Sequence, residues 1–323
     1  MVKKLVINIA IVAFVVIILD FAIGSVLRYF YFREISGIHF RTTYALEKAD
    51  SDIIVFGSSR ANHHYVPEIF ENALKMSFYN AGRDGAGIFY HTAVLKSILK
   101  RNKSKVIILD YAGGFDKRER DYDRLSCLLP YYKYHDEIRR IIELKSSFER
   151  IKMVSAIYPF NSEILNIAIG NMKTNKDNYI DAQGYIPLDG ELQAEIEFAD
   201  NAINYEIDNN KVNYFKEFIF IAKKAGAKVI IIYSPIYEKY QKKQEIDICR
   251  SICNSMNVPF LDFSKNNLFL QNRQLFRDVE HLNHKGAIVF SNIVVNKIKF
   301  VSSAIKRDKA SETSKIVGNI PKV

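Results

Sequence analysis

The sequence predicts an α/β fold with a parallel sheet, joined to an apolar N-terminal segment. Short β-rich apolar runs alternate with longer helical patterns, the signature of strands linked by helical crossovers. Three of those runs are almost continuously apolar, as strands become when helices cover both faces of the sheet. With 323 residues, 48% of them hydrophobic, the chain can bury a substantial core.

The first element is the apolar stretch Leu5–Leu27, which follows Lys3 and Lys4 and is broken only by Asn8, Asp20 and a few small residues. At about 1.5 Å per residue it is long enough for a hydrocarbon core of about 30 Å. The flanking lysines favour a cytoplasmic N-terminus, so the expectation is a single-pass membrane anchor with the rest of the chain extracytoplasmic. A cleaved signal peptide is the competing reading, because Ala22-Ile23-Gly24 imitates a small-residue cleavage site. Asp20 sits near the outer end of the span, where its carboxylate can reach the interface.

The expected organisation is an anchor over 1–28, a connector over 29–51, a folded domain over 52–300 and a disordered tail over 301–323. The tail is polar and poor in aromatics. Strands are expected at Asp52–Phe56, Met76–Tyr79, Lys105–Leu109, Lys228–Tyr233 and Pro259–Leu261. Helical patterns fall at about Val66–Leu74, Ile88–Lys100, Asn210–Ala225, Tyr237–Met256 and Lys285–Lys299. Residues 116–210 hold no convincing strand and read as a helical insertion containing the turn-rich loop Asp181–Pro187. Insertions at strand ends commonly shape substrate clefts.

The net charge of +10 arises from 46 basic and 36 acidic residues interleaved along the chain. No recognition motif accompanies it, so nucleic-acid binding is not expected, and an anionic membrane surface accounts for the excess equally well. Cys127, Cys249 and Cys253 offer neither a disulfide framework nor a zinc knuckle. His281 and His284 are spaced i, i+3, and His63 adjoins His64. Without an HExxH motif or cysteine ligands, no metal and no cofactor are expected.

Three motifs can carry chemistry. Gly57-Ser58-Ser59-Arg60-Ala61-Asn62 follows the first strand, where a serine projects beyond the carboxyl edge of the sheet. Tyr79-Asn80-Ala81-Gly82-Arg83-Asp84-Gly85 follows the second, and its glycines allow backbone N–H groups to approach a developing oxyanion. Asp278-Val279-Glu280-His281 lies just before the final helix. A serine hydroxyl needs a base, usually a neutral imidazole held by a carboxylate, and an aspartate three residues before a histidine can accept its Nδ1–H. Taken singly, each motif has a plain structural reading as a helix cap, a turn or a surface histidine.

In this order the three motifs resemble those of the SGNH/GDSL hydrolase superfamily. The resemblance implies a three-layer α/β/α, flavodoxin-like parallel sheet of about five strands. It makes Ser59 the nucleophile, with Ser58 standing where the family has aspartate, and gives the Ser59 and Gly85 N–H groups as oxyanion donors. Asp278 and His281 become the orienting carboxylate and the general base. Arg60, Asn62, Asn80, Arg83 and Asp110 flank these motifs as pocket candidates, with Arg60 and Arg83 suited to an anionic group. The family's third block supplies an asparagine, whereas here Leu109-Asp110-Tyr111-Ala112-Gly113-Gly114-Phe115 has none. That departure matches the divergent envelope branches resembling DltD and the alginate acetylation proteins.

The implied activity is a serine esterase or O-acyltransferase acting through an acyl-serine. Its substrate would be envelope polysaccharide or an acylated small molecule, and its partner an envelope acyltransferase. A non-catalytic envelope binding or assembly protein and a lipase-like acyl hydrolase are the alternatives. The α/β-hydrolase elbow fits less well, because the serine follows the first strand and the aspartate is only three residues from the histidine.

Overall fold

The computed structural model describes residues 1–111, 114–172, 183–193, 205–237 and 243–300. Five strands, β1 Ile53–Gly57, β2 Phe78–Asn80, β3 Val106–Asp110, β4 Lys228–Tyr233 and β5 Phe260–Asp262, form one sheet. Their order is β2-β1-β3-β4-β5 and every pairing is parallel. This is the expected three-layer, flavodoxin-like sheet. All five expected strands are present, and β1, β2, β3 and β5 each run one residue past the last apolar residue of the run that predicted them.

The helices in chain order are α1 Val2–Arg33, α2 Gly37–Glu47, α3 Ser59–His64, α4 Pro67–Leu74, α5 Ile88–Leu99, α6 Glu119–Asp123, α7 Asp136–Ile142, α8 Glu149–Lys152, α9 Ile164–Gly170, α10 Asn209–Lys224, α11 Lys243–Ser255, α12 Asn267–Leu270 and α13 over 284–300. Alternation along the strands sorts them into two layers, because successive side chains point to opposite faces of a sheet. Ile54, Phe56, Ile107, Leu109, Val229 and Ile231 pack with residues of α2, α5, α10 and α11. Ile53, Val55, Val106, Ile108, Ile230 and Ile232 pack with α3, α4, α12 and α13.

α1 is long and apolar enough to cross a membrane, the one such helix among the described residues. It continues to Arg33, and the segment expected as a connector then folds as α2, with Ala45 and Leu46 buried against the sheet domain. The helix expected over Tyr237–Met256 is helical over Lys243–Ser255, while 238–242 lie outside the described residues. Between β3 and α10, the described part of the expected insertion is a series of short α and 3-10 helices. Asp181 and Ala182 of the turn-rich loop, Ala112 and Gly113 after β3, and the expected tail over 301–323 also lie outside the described residues. All three cysteines are free and buried.

Candidate active site

The strand order reverses between β1 and β3, and the site is assembled at that point, beyond the carboxyl ends of the strands. β1 ends at Gly57, with φ +148° and no room for a side chain: a Cβ there would lie 2.5 Å from the Asp110 carbonyl oxygen and 2.7 Å from the Ala61 Cβ. Glycine therefore lets the strand turn directly into α3. Ser58 is the N-cap residue and Ser59 the first residue of the helix, so the Ser59 hydroxyl stands at the rim.

The loop after β2 is drawn against this turn. Ala81 N–H donates to the Val55 carbonyl at 2.8 Å and Arg83 N–H to the Gly57 carbonyl at 3.0 Å. Asn80 is fully buried and clamps the two segments together. Its Oδ1 accepts from Gly82 N–H at 2.9 Å, and its Nδ2 donates to the Ala61 carbonyl at 2.7 Å. Gly85 turns the loop with φ +68°. Neither the Ser59 nor the Gly85 N–H has an acceptor among the described residues, so both remain free to donate.

The third motif closes a tight loop in which Phe276 bridges Leu282 and Arg277 N–H donates to the His281 carbonyl at 2.8 Å. Asp278 Oδ1 accepts from the N–H groups of Glu280 at 2.9 Å and His281 at 3.0 Å. Its two oxygens also face His281 Nδ1 at 2.9 and 3.0 Å. Burial raises the Asp278 pKa, but these backbone donors and the imidazole outweigh it and leave the carboxyl below its ordinary value. A carboxylate accepting the Nδ1 proton leaves Nε2 as the lone-pair nitrogen. Nε2 lies 2.7 Å from Ser59 Oγ, within the reach proton transfer requires.

His64 joins the last motif to the first. Its Nε2 accepts from Leu282 N–H at 2.9 Å, which places the ring proton on Nδ1. Burial holds its pKa well below the usual histidine range, so the ring is neutral and serves as a fixed acceptor. His63 sits beside the site with its ring perpendicular to His281, centroids 5.7 Å apart. His63 Nδ1 lies 2.7 Å from the Ile186 carbonyl and Nε2 lies 3.5 Å from Asp84. Both histidines are buried.

Residues 183–193 cross over these elements like a strap. Asn80 N–H donates to Gln183 O, Ile186 N–H to Asn62 O and His284 N–H to Leu188 O, and Asn283 Nδ2 donates to Gly190 O. At Gly184, with φ +80°, a Cβ would lie 2.0 Å from the Asn80 carbonyl oxygen. Arg41 of α2 ties the strap down by donating to the Gly184 carbonyl, to the Gly82 carbonyl and to Asn62 Oδ1. Asp84 accepts from Asn62 Nδ2 at 2.8 Å. Burial would raise its pKa, but His63, Asn62 and the Arg41 charge bring it down to about 2.

The remaining pocket candidates lie behind the rim. Arg60 is buried, 4.5 Å over the Tyr233 ring, and donates to the Ser234 carbonyl. Asp110 is buried and accepts from Tyr65 OH at 3.0 Å and Ser234 N–H at 3.3 Å. Burial raises the Asp110 pKa against the opposing Arg60 charge. Arg83 donates to Thr42 Oγ1 and lies over Tyr90, directed toward α2 and α5. Arg60, Asn80 and Asp110 thus brace the rim, while Asn62 lies within α3 and Asp84 borders it.

Among the described residues no group of three or more His, Cys, Asp or Glu side chains is arranged to hold a metal ion. Comparison with solved structures returns an acetyl xylan esterase, AlAXEase, at 13% identity over 78% of this chain and 99% of its own, TM-score 0.38. It also returns a protein from Bacteroides fragilis NCTC 9343, provisionally described as an acylhydrolase, at 10% identity over 82% of this chain and 99% of its own, TM-score 0.42. Likeness at that level carries no weight for function. No family model and no curated protein matches the chain.

Chemically, the arrangement has a hydroxyl hydrogen-bonded to an imidazole, a carboxylate orienting that imidazole, and two free N–H groups on the motifs flanking the hydroxyl. Sequence reasoning found the hydroxyl, imidazole and carboxylate. It missed Arg41 and did not assign His64 its role. Arg41 lies in a segment with no motif around it, and nothing in the sequence pairs His64 with Leu282.

Proposed function

We propose that this chain is a membrane-anchored serine esterase or O-acyltransferase of the SGNH type, acting through an acyl-Ser59 intermediate. The observation that carries the reading is the chain of hydrogen bonds Ser59 Oγ to His281 Nε2 and His281 Nδ1 to Asp278 at the topological switch point. His281 takes the Ser59 proton as Oγ bonds to the ester carbonyl carbon, and the oxygen left with a negative charge is met by the Ser59 and Gly85 N–H groups. His281 then gives that proton to the departing alkoxide, freeing the alcohol and leaving the acyl group on Ser59. Water or a sugar hydroxyl attacks next, again losing its proton to His281, and the hydroxyl of Ser59 is restored.

The finer assignment, O-acyl groups on cell-envelope carbohydrate with an envelope acyltransferase as partner, is supported by the resemblance of the motif pattern to the divergent envelope branches. Retention of α1 is supported by its packing. Asp20 accepts from Ser155 Oγ and Ala156 N–H, and Gly24 lies so close to Ala156 that a Cβ would be 2.4 Å from its carbonyl carbon. Cleavage near Gly24 would strip both contacts from the folded domain.

A non-catalytic binding role on the same fold draws support from the missing third-block asparagine. Two measurements separate the readings. A fluorophosphonate probe followed by mass spectrometry is expected to place label on Ser59. Wild type is expected to hydrolyse a small acetyl ester and Ser59→Ala to lose that activity; equal rates with no label on Ser59 would favour the binding role.

A further inference from the structure

The insertion exposes an apolar surface that the proposed chemistry does not use. Phe148, Ile151 and Val154 around α8, and Ile164, Leu165 and Met172 on and beside α9, are all solvent-exposed, Val154 at 81% and Leu165 at 71%. The side-chain amides of Asn166 and Asn171 are bonded within the protein, although both residues are exposed. Asn166 donates to Glu163, and Asn171 donates to the carbonyls of Phe30 and Ile167. The exposed positions of α9 are Ile164, Leu165, Asn166, Ala168 and Ile169, with Asn166 the one polar side chain among them.

The height of this surface relative to α1 is fixed by Asp20. Its carboxylate accepts from Ser155 Oγ at 2.5 Å, Ala156 N–H at 2.6 Å and Ile157 N–H at 3.3 Å. Asp20 lies eight residues before Arg28, about 12 Å along a helix axis. The turn at 154–157 therefore reaches down beside the apolar part of α1. Its neighbours higher up are Tyr29, Phe30 and Tyr134, all exposed, with Arg28 stacked 3.9 Å over Tyr134. Aromatic rings and arginines of this kind gather at a membrane interface.

The backbone N–H groups of the turn are all held within the protein, whereas the carbonyls of 153–156 accept no hydrogen bond among the described residues. Every N–H from Met153 to Asn161 is bonded within the protein: to the carbonyls of Glu149, Ile151, Lys152, Ile157 and Tyr158, to Asp20, and to Ser155 Oγ; Pro159 has none to satisfy. Open carbonyls set the turn at the interfacial level, where headgroups and water reach them, and not in the hydrocarbon core.

We propose that residues 148–172 form an interfacial element seated in the outer leaflet against α1, with the Val154–Ile157 turn at the depth of Asp20 and lipid acyl chains covering its exposed apolar face. This rests on the reading of α1 as a membrane span. Lipid is favoured over a protein partner because the patch is continuous with the exposed apolar surface of α1 itself. Arg150, whose side chain is 85% exposed, stands at the edge of the patch, suited to an anionic headgroup.

The test uses the full chain in vesicles of phosphatidylcholine and phosphatidylglycerol, with a fluorophore on one introduced cysteine at a time. The native cysteines are buried, so Val154→Cys, Val16→Cys in α1 and Glu191→Cys on the strap can be labelled selectively. Expected results are that lipid-borne nitroxide quenches the probes at positions 16 and 154, and that only the probe at 191 is quenched by aqueous iodide. Quenching at 16 with iodide access at 154 would overturn the interfacial element while leaving the span intact. A probe at 154 silent to both quenchers would overturn it in favour of a second copy or a protein partner. No lipid quenching at 16 would remove the span and this inference together.

Discussion

Replacing Asp278 with asparagine tests the proposed chemistry at one atom. Asp278 Oδ1 accepts two backbone N–H groups, those of Glu280 and His281, at 2.9 and 3.0 Å. In Asp278→Asn the amide oxygen must keep that position, because an NH2 there would face two donors. The NH2 then falls where Oδ2 stood, 3.0 Å from His281 Nδ1. A donor at that place favours the tautomer with its proton on Nε2, which faces Ser59 Oγ and can no longer accept.

The corresponding change in a serine-protease triad lowers kcat about 10⁴-fold. Here the retained oxygen also lies 2.9 Å from Nδ1 and still favours the productive tautomer in part. The expected loss in kcat is therefore about 10³-fold, or about 4 kcal/mol of transition-state stabilisation. Initial rates on a chromogenic acetyl ester measure it, with fluorophosphonate labelling of Ser59 expected to slow in parallel. An Asp278→Asn protein within about tenfold of wild type, alongside an inactive Ser59→Ala, would show that Asp278 does not set the tautomer.

Other consequences follow from the same packing. His64→Phe leaves the buried Leu282 N–H without its acceptor, at a cost of about 1–3 kcal/mol. Thermal denaturation should show the loss, kcat should fall more than KM rises, and His64→Gln, which keeps an acceptor, should recover part of both. Gly184→Ala forces a side chain toward the Asn80 carbonyl at a positive φ, a backbone strain of about 1–3 kcal/mol before any clash; lower activity and easier proteolysis between 183 and 193 are expected.

His39 lies 3.0 Å from both Glu34 and Glu163. Burial lowers its pKa, but hydrogen bonds to the two carboxylates prevail and raise it to about 9. A raised histidine contributes stability that is complete below the ordinary value of 6.5 and lost as pH rises through about 9. The melting temperature of wild type should therefore fall over that window, and His39→Phe should flatten the decline.

The strand cores were legible because apolar runs covered on both faces have no other easy reading. Their last residues were not. Gly57, Asn80, Asp110 and Asp262 look like loop by composition yet pair in the sheet, because the ladder is a backbone property and the carboxyl rim is where polar side chains are useful. The Asp278–His281 contact was legible because only three residues separate the pair, and Ser59 was legible only as the serine that follows the first strand; nothing local in the sequence joins it to His281, 222 residues away. The roles of Arg60 and Asp110 were not, since a buried arginine and a buried aspartate read the same in sequence as solvated ones. α2 was also missed: its apolar positions are interrupted by His39, Arg41 and two threonines, polar groups that find partners only in the folded protein.

Three residues, Glu34–Ser36, separate α1 from α2, and Glu34 is itself held to the buried His39. With α1 in a bilayer, that short, ion-paired elbow leaves no slack for the domain to swing or rise. On the proposed reading, Ser59 then stands at one altitude above the lipid, like a tool on a fixed mast, and a polymer substrate would have to be brought down to that height.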